Sequence, residues 1–323
     1  MGADRGRSAL KVEHWESYYR GGWLTACPTG ADPNYTLELR DIWSDFFASL
    51  ADGARILDIG TGNGAIAVIA LETATKLSRT FEIHGADLAQ IDPVRDVAGG
   101  ARLFANISFH PGVAAERLPF EAASFAAVSG QYALEYTDMR ESLAQVMRVL
   151  QPGSGAQFLM HHADSIVVER ARASLRHADT VLMETKIHRK LRRFLDAEQR
   201  SAVAARGAWE ELAAAMTTLR NCGREDGDRR VIDVTLDALP KLLDLRRRLS
   251  RAALDREIDV VEHDLRNSVH RLGDLIAAAM SDTAMEERAQ HARSLGFIDV
   301  TYEPLNHAQH VLVGWKVRLR KPP

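Results

Sequence analysis

Hydrophobic positions along this chain change their spacing twice. From about Ala54 to Met160, short apolar runs alternate with stretches that are apolar at every third or fourth position, the pattern of a parallel sheet with crossover helices. "ARILDIG" (54–60) reads as a first strand and "GAIAVIALETATKL" (64–77) as the helix that follows. "TFEIHGADL" (80–88), "NISFHPGVA" (106–114) and "SFAAVSGQY" (124–132) read as strands two to four. In "DMRESLAQVMRVL" (138–150), Met139, Leu143, Val146 and Met147 fall at helical spacing; "QPG" stops that helix, and "GAQFLMHH" (155–162) reads as strand five. Near the C-terminus "GFIDVTYEPL" and "HAQHVLVGWKVRLRK" read as a hairpin that closes the sheet.

Between His162 and about Leu295 the pattern is helical throughout, rich in Ala, Leu, Arg, Glu and Asp. Leu254, Ile258, Val261, Leu265, Val269, Leu272, Ile276 and Ala279 recur at steps of three and four, so a long amphipathic helix lies within about Asp237–Ser281. The predicted organisation is a helical N-terminal cover (1–50), an α/β sheet domain (51–162 and 295–323) and an all-helical insertion (163–294). The insertion reads either as a substrate lid or as a homodimer interface.

Composition narrows the function. The chain has 323 residues, 46% hydrophobic and 26% charged, enough for a sizeable core. A net charge of −3 supplies no global basic field for nucleic acid or anionic membrane. The basic stretches "HRKLRRF" and "LRRRLSR" are interspersed with acids and read as solvated helix faces, which disfavours a nucleic-acid partner. Cys27 and Cys222 match no metal or redox spacing, so no metal is expected. The N-terminus lacks the apolar stretch of a signal peptide and no run is long enough to span a bilayer, so a cytoplasmic protein without a membrane partner is expected.

The candidate chemistry sits at the bend after strand one. Glycines at 60, 62 and 64 permit a sharp turn and close approach of a ligand to the backbone, and the N–H groups at the following helix start favour a polar or anionic group. Gly60, Gly62 and Ala65 also satisfy a dinucleotide fingerprint, with Asp87 following Ala65 by 22 residues as a ribose-binding acid. On these residues alone a nicotinamide cofactor stays open.

The flanking segments carry a resemblance. "ILDIGTGNG" resembles the first motif of class I S-adenosylmethionine-dependent methyltransferases. "AERLPFEAASFAAVSGQYALEY" (115–136) is similar to that family's segment through its fourth strand, and "MRVLQPGSGAQFL" and "LGFIDV" to the pieces that follow. Together these cover about half the chain. The resemblance implies a Rossmann-like sheet of seven mostly parallel strands with a terminal antiparallel hairpin, and S-adenosylmethionine as cofactor, leaving S-adenosylhomocysteine. It implies that Asp58 lies near the amino end of the methionine moiety and that the backbone through Gly60, Thr61, Gly62 and Gly64 lies against the cofactor. Asp87 would hold the ribose hydroxyls, Leu88 would face the adenine, Ala115 and Glu116 its edge, and Gln131 would border the methionine chain. The family often has an acid at the position of Ala114, which Glu116 would have to replace. Tyr18, Tyr19 or Trp23 in the aromatic N-terminal segment would cover the cofactor.

Methyl transfer to a hydroxyl needs a base. His161 and His162 at the end of strand five are the candidates, and because neighbours on a strand point to opposite faces only one is expected to face the site. Glu135 and Tyr132, after strand four, would line the acceptor site. His307 and His310 read as turn and strand residues. The expected function is methyl transfer to oxygen or nitrogen of a small-molecule metabolite. The alternatives are an RNA or protein methyltransferase, against which the absence of an "NPPY"-like motif at "GQYALEY" weighs, and an S-adenosylmethionine-binding or assembly protein without turnover.

Overall fold

The computed structural model describes residues 12–25, 34–224, 228–308 and 310–323. Cys27 and the first eleven residues of the N-terminal cover lie outside them. The chain divides into two compact units, Met1–Val168 with Ala277–Pro323, and Glu169–Ile276.

The first unit is an α/β layer structure. Helices α1 (Glu13–Arg20) and α2 (Leu37–Ala48) precede β1 (Arg55–Ile59), α3 (Ala65–Lys76) and β2 (Glu82–Asp87). Two single turns, α4 (Pro93–Asp96) and α5 (Gly100–Leu103), lead to β3 (Ile107–Pro111) and β4 (Phe125–Gln131). Then come α6 (Met139–Val149) and β5 (Leu150–Met160). The sheet order is β3-β2-β1-β4-β5-β7-β6, with β6 (Ile298–His307) and β7 (Val311–Arg320) as the closing strands. The first five strands run parallel, while β7 is antiparallel to both β5 and β6. This is the Rossmann-like arrangement with a terminal antiparallel pair. Its strand order reverses between β1 and β4, and the crevice at that switch point is where such sheets bind ligands.

Both faces of the sheet are covered, which is why its central strands read as continuous apolar runs. On one face Ile56 and Leu159 pack with Trp43 and Phe47 of α2 and Ile66 and Ile69 of α3. Ala65, Ala67 and Ala70 are buried there as well, their small side chains letting α3 lie close to the strands. On the other, Leu57, Val128 and Phe158 pack with Leu143 and Val146 of α6. Helix α12 (Asp282–Ser294) adds Met285 and Ala292 to this second core beside Phe297 and Trp315. The all-helical unit therefore ends before α12 and is shorter than the 163–294 span drawn from the sequence.

One strand boundary differs from the pattern-based reading. β5 begins at Leu150, directly after α6, and includes the "QPG" expected to be a turn. The Gly153 amide donates to the Pro322 carbonyl (3.0 Å) and the Lys321 amide to Ser154 (2.8 Å), so the C-terminal tail keeps this stretch in the ladder. At its other end β5 stops at Met160, and His161 and His162 lie just beyond it.

The second unit is helical. Helix α7 (Ile166–Asp179) leads into it through a π-helical turn, Thr180–Thr185. α8 (Ile187–Glu198), α9 (Ala202–Asn221), α10 (Arg230–Leu245) and α11 (Arg251–Ala278) follow. Leu191, Phe194, Leu212, Leu219, Leu239 and Ile258 are among the residues of its own core. The long amphipathic helix is α11; residues 237–245 belong to α10, with the break at Arg246–Ser250. Arg192 and Arg193 of "HRKLRRF" pair with Glu262 (3.0 Å) and Glu211 (2.8 Å), and Arg251 of "LRRRLSR" with Asp255 (3.0 Å), so these cations are engaged within the unit. No helix among the described residues is long and apolar enough to cross a membrane.

Candidate active site

Asp58 is the fourth residue of β1, buried, and its two oxygens are already held. Oδ2 accepts from the Thr61 hydroxyl (2.7 Å) and Oδ1 from the Ser129 hydroxyl of β4 (2.8 Å). Burial pushes this carboxyl up to about 6 against the two hydroxyls, with a smaller contribution from the charge of Asp87. Asp87 ends β2. Its Oδ2 accepts from the Gly62 amide (2.8 Å) and its Oδ1 from the Ala89 amide (2.8 Å), and burial also pushes it up to about 6 against those bonds. Each oxygen keeps a further lone pair for a ligand hydroxyl.

Between them runs the glycine bend. Gly60, Gly62 and Gly64 all have left-handed φ (63°, 52° and 86°), a conformation that costs any residue with a Cβ. A Cβ at Gly60 would strike Ala133, and one at Gly62 would lie 2.6 Å from the ring of Tyr19. The Tyr19 ring thus covers the bend directly. Asn63, within the bend and fully buried, holds that cover in place: its Nδ2 donates to the carbonyls of Tyr19 (2.9 Å) and Trp23 (2.8 Å). The Gln90 amide, after β2, donates to Glu16 of α1 (3.2 Å) on the same side.

At the end of β4, Gln131 accepts from the Trp43 indole through Oε1 (2.6 Å), while its buried Nε2 has no partner among the described residues. Asn63 Oδ1 is likewise buried without one. Buried polar atoms left open at a sheet's switch point, a bend that only glycine can make, and a preset carboxylate on β2 fit a nucleoside-bearing cofactor with a polar tail.

Next to this lies a buried acid–base pair. Glu135 is 0% exposed and His161 2%, and Glu135 Oε1 accepts from both the amide (2.8 Å) and Nδ1 (2.7 Å) of His161. A carboxylate only accepts, so Nδ1 carries the proton and Nε2 offers a lone pair. Neither His161 Nε2 nor Glu135 Oε2 has a partner among the described residues. Tyr132 lies 4.2 Å from the His161 ring and has a left-handed φ of 53°, a strained setting for a tyrosine.

The remaining expected residues are placed differently. His162 turns away from the pair: its ring stacks on Trp315 (4.4 Å), Nδ1 accepts from the Asp164 amide (3.0 Å), and Nε2 faces Asp282 (3.3 Å). Leu88 is exposed, Ala115 is buried in the second core, and Glu116 accepts from the Asp138 amide (2.8 Å) at the start of α6. Tyr18 donates to the Thr25 carbonyl (2.8 Å), and Trp23 is largely exposed. His307 pairs with Glu38 (2.7 Å). Asn63, Ser129 and Trp43 were not singled out from the sequence, and of these Ser129 had a signal, a hydroxyl inside an otherwise apolar strand.

Residues 56–153 match the family model described as "Methyltransferase domain". Over 107 residues the chain is 31% identical to a demethylmenaquinone methyltransferase of Chlorobaculum parvum, covering 32% of this chain and 40% of that protein. The chain thus spans less than half the length of this curated relative. Among solved structures, a 1,6-didemethyltoxoflavin-N1-methyltransferase of Burkholderia thailandensis is similar at 12% identity, covering 88% of this chain and 79% of that one with a TM-score of 0.43. The [4+2]-cyclase SpnF is similar at 15% identity over 96% and 92% of the two chains, with a TM-score of 0.41.

Proposed function

We infer that this chain, whose residues 56–153 belong to the class I S-adenosylmethionine-dependent methyltransferase family, transfers a methyl group from S-adenosylmethionine to a small-molecule acceptor. The observation that carries this reading is the convergence of Asp58, the left-handed glycines, Asp87 and Gln131 at the switch point of the sheet. The small-molecule half draws on the curated relative, whose name gives demethylmenaquinone as its acceptor.

In this reading the backbone from Gly60 through Thr61 to Gly64 and the side chain of Asp58 hold the methionine end of the cofactor. Asp87 holds the ribose, Gln131 Nε2 donates to the methionine chain, and Leu88, exposed beside Asp87, borders the adenine, while Ala115 in the second core and Glu116, bonded at the start of α6, take no part. When bound, the cofactor supplies a methyl carbon on a sulfonium, activated for in-line displacement. The chain's share is alignment and exclusion of water, for which the cover of Tyr19 latched by Asn63 is suited. His161 Nε2, its tautomer fixed by Glu135, is placed to take the proton of an acceptor hydroxyl, a role for which His162 has no free nitrogen.

Calorimetric titration with S-adenosylmethionine, S-adenosylhomocysteine and NAD in parallel tests the cofactor. Binding of the first two and not of NAD is expected; binding of NAD alone would overturn the reading. Asp87→Ala is expected to weaken S-adenosylmethionine binding by about 1 to 3 kcal/mol through loss of hydrogen bonds to a charged group. Unchanged affinity would remove the ribose role.

A further inference from the structure

Gln131 is the last residue of β4, and Trp43 of α2 decides which end of its amide is left for a ligand. An indole N–H only donates, so the contact of Trp43 Nε1 with Gln131 (2.6 Å) fixes that amide atom as the oxygen, Oε1, and the other as Nε2. Trp43 is itself held. It is 0% exposed, with the rings of Phe46 (6.1 Å) and Phe47 (5.9 Å) beside it, in the core on that face of the sheet. The carbonyl of Ile42, its neighbour in α2, accepts from Gln157 of β5 (3.3 Å), which ties that turn of the helix to the strand. The amide of Gln131 is therefore kept from turning over, and its buried Nε2 stays a donor without a partner among the described residues.

The register of the sheet sets this donor beside an acid. Ser129 and Gln131 are two residues apart on β4 and so point to the same face, and the Ser129 hydroxyl is bonded to Asp58 on the neighbouring β1 (2.8 Å). An ionised carboxylate only accepts, and Gln131 Nε2 only donates. The two match opposite ends of a zwitterion. On the amino-acid chain of S-adenosylmethionine the ammonium only donates, the sulfonium is positive and repels a donor, and the carboxylate only accepts. Of these three groups, the carboxylate alone can satisfy Gln131 Nε2.

Resting on the methyl-transfer reading above, we propose that Trp43 is a positioning residue: by holding Oε1 it assigns Gln131 to the cofactor's carboxylate, next to Asp58 on the ammonium, and makes the site demand a carboxylated cofactor. A decarboxylated cofactor keeps the nucleoside, the sulfonium and the ammonium but leaves Nε2 buried and unpaired, and the site discriminates against it.

The test is calorimetric titration of the full chain with S-adenosylhomocysteine and with its decarboxylated counterpart, S-adenosyl-3-thiopropylamine. Wild type is expected to prefer the first by about tenfold or more, the worth of a hydrogen bond to a charged group. Trp43→Phe keeps an aromatic ring and removes the donor. It should weaken S-adenosylhomocysteine about fivefold, one positioning bond, and leave the decarboxylated ligand unchanged, whereas a residue that only packs would weaken both alike. Gln131→Glu still gives the indole an acceptor but sets an oxygen where Nε2 stood, and it should reverse the preference without disturbing the core. Equal affinity of wild type for the two ligands, parallel losses in Trp43→Phe, or an unreversed preference in Gln131→Glu would overturn the proposal and leave methyl transfer standing. Failure of wild type to bind S-adenosylhomocysteine would strike the underlying reading, and the proposal with it.

Discussion

Asp58 and Asp87 hold their protons more tightly in the fold than in a free chain, each pushed up to about 6 by burial. The sign of the consequence follows from proton counting. Between about pH 4 and 6 the folded chain keeps protons that the unfolded chain has released, so each acid contributes stability at low pH that is lost as pH rises through 6. Asp58→Asn carries no such charge and is expected to gain on wild type as pH rises from about 4 to 7, by up to about 3 kcal/mol. Paired thermal melts across that range check it, and a pH-independent gap between the two proteins would refute it. At this scale the glycines were legible, because a turn with left-handed φ demands residues without a Cβ at particular positions, and the two acids stood out as carboxylates at or near the strand ends. Asn63 was not, because its two acceptors, the carbonyls of Tyr19 and Trp23, lie some forty residues upstream and meet it only in the folded chain.

Asn63 ties the N-terminal cover to the bend through two hydrogen bonds, to the carbonyls of Tyr19 in α1 and of Trp23 just after it. Asn63→Ala should therefore loosen the cover without unfolding the sheet, at a cost of about 1 kcal/mol for each lost bond. Limited trypsinolysis after Arg20 is expected to accelerate severalfold in the variant, with circular dichroism unchanged; wild-type cleavage rates would mean that the cover is held by its ring contacts alone. The strands and α6 were readable because alternation and helical spacing report burial directly. The start of β5 was not. Proline and glycine in "QPG" signal a turn locally, and only pairing with the chain's last residues makes this stretch a strand. The fates of His161 and His162 were legible only as alternation, since which one meets Glu135 depends on how the chain leaves the strand.

For the whole molecule, the two units carry separate hydrophobic cores, one pair of clusters around the sheet and a third within Glu169–Ile276. Calorimetric unfolding is expected to show two transitions. S-adenosylhomocysteine at about a hundred times its Kd should stabilise only the sheet unit, by about 2.7 kcal/mol. A single transition, or equal shifts in both, would contradict this. The alternation of strands and helices made the sheet unit legible across a chain interrupted by more than a hundred residues. The far boundary of the helical unit was not, because α12 looks like its predecessors in sequence and differs only in the core it joins.

The latch also gives the molecule an age. Asn63 is followed by Gly64, the pairing in which a backbone amide nitrogen most readily attacks the side-chain amide and releases ammonia, leaving aspartate or isoaspartate. Here the Gly64 amide is tied to the Thr61 carbonyl (2.8 Å) and Asn63 is fully buried, so the attack waits for the cover to lift. Each opening risks replacing the donor with a carboxylate facing two carbonyls, after which the cover does not return. Peptide mapping of protein stored with and without S-adenosylhomocysteine should show this conversion slowed by the ligand; equal rates would mean that the bend is sealed by something other than its latch.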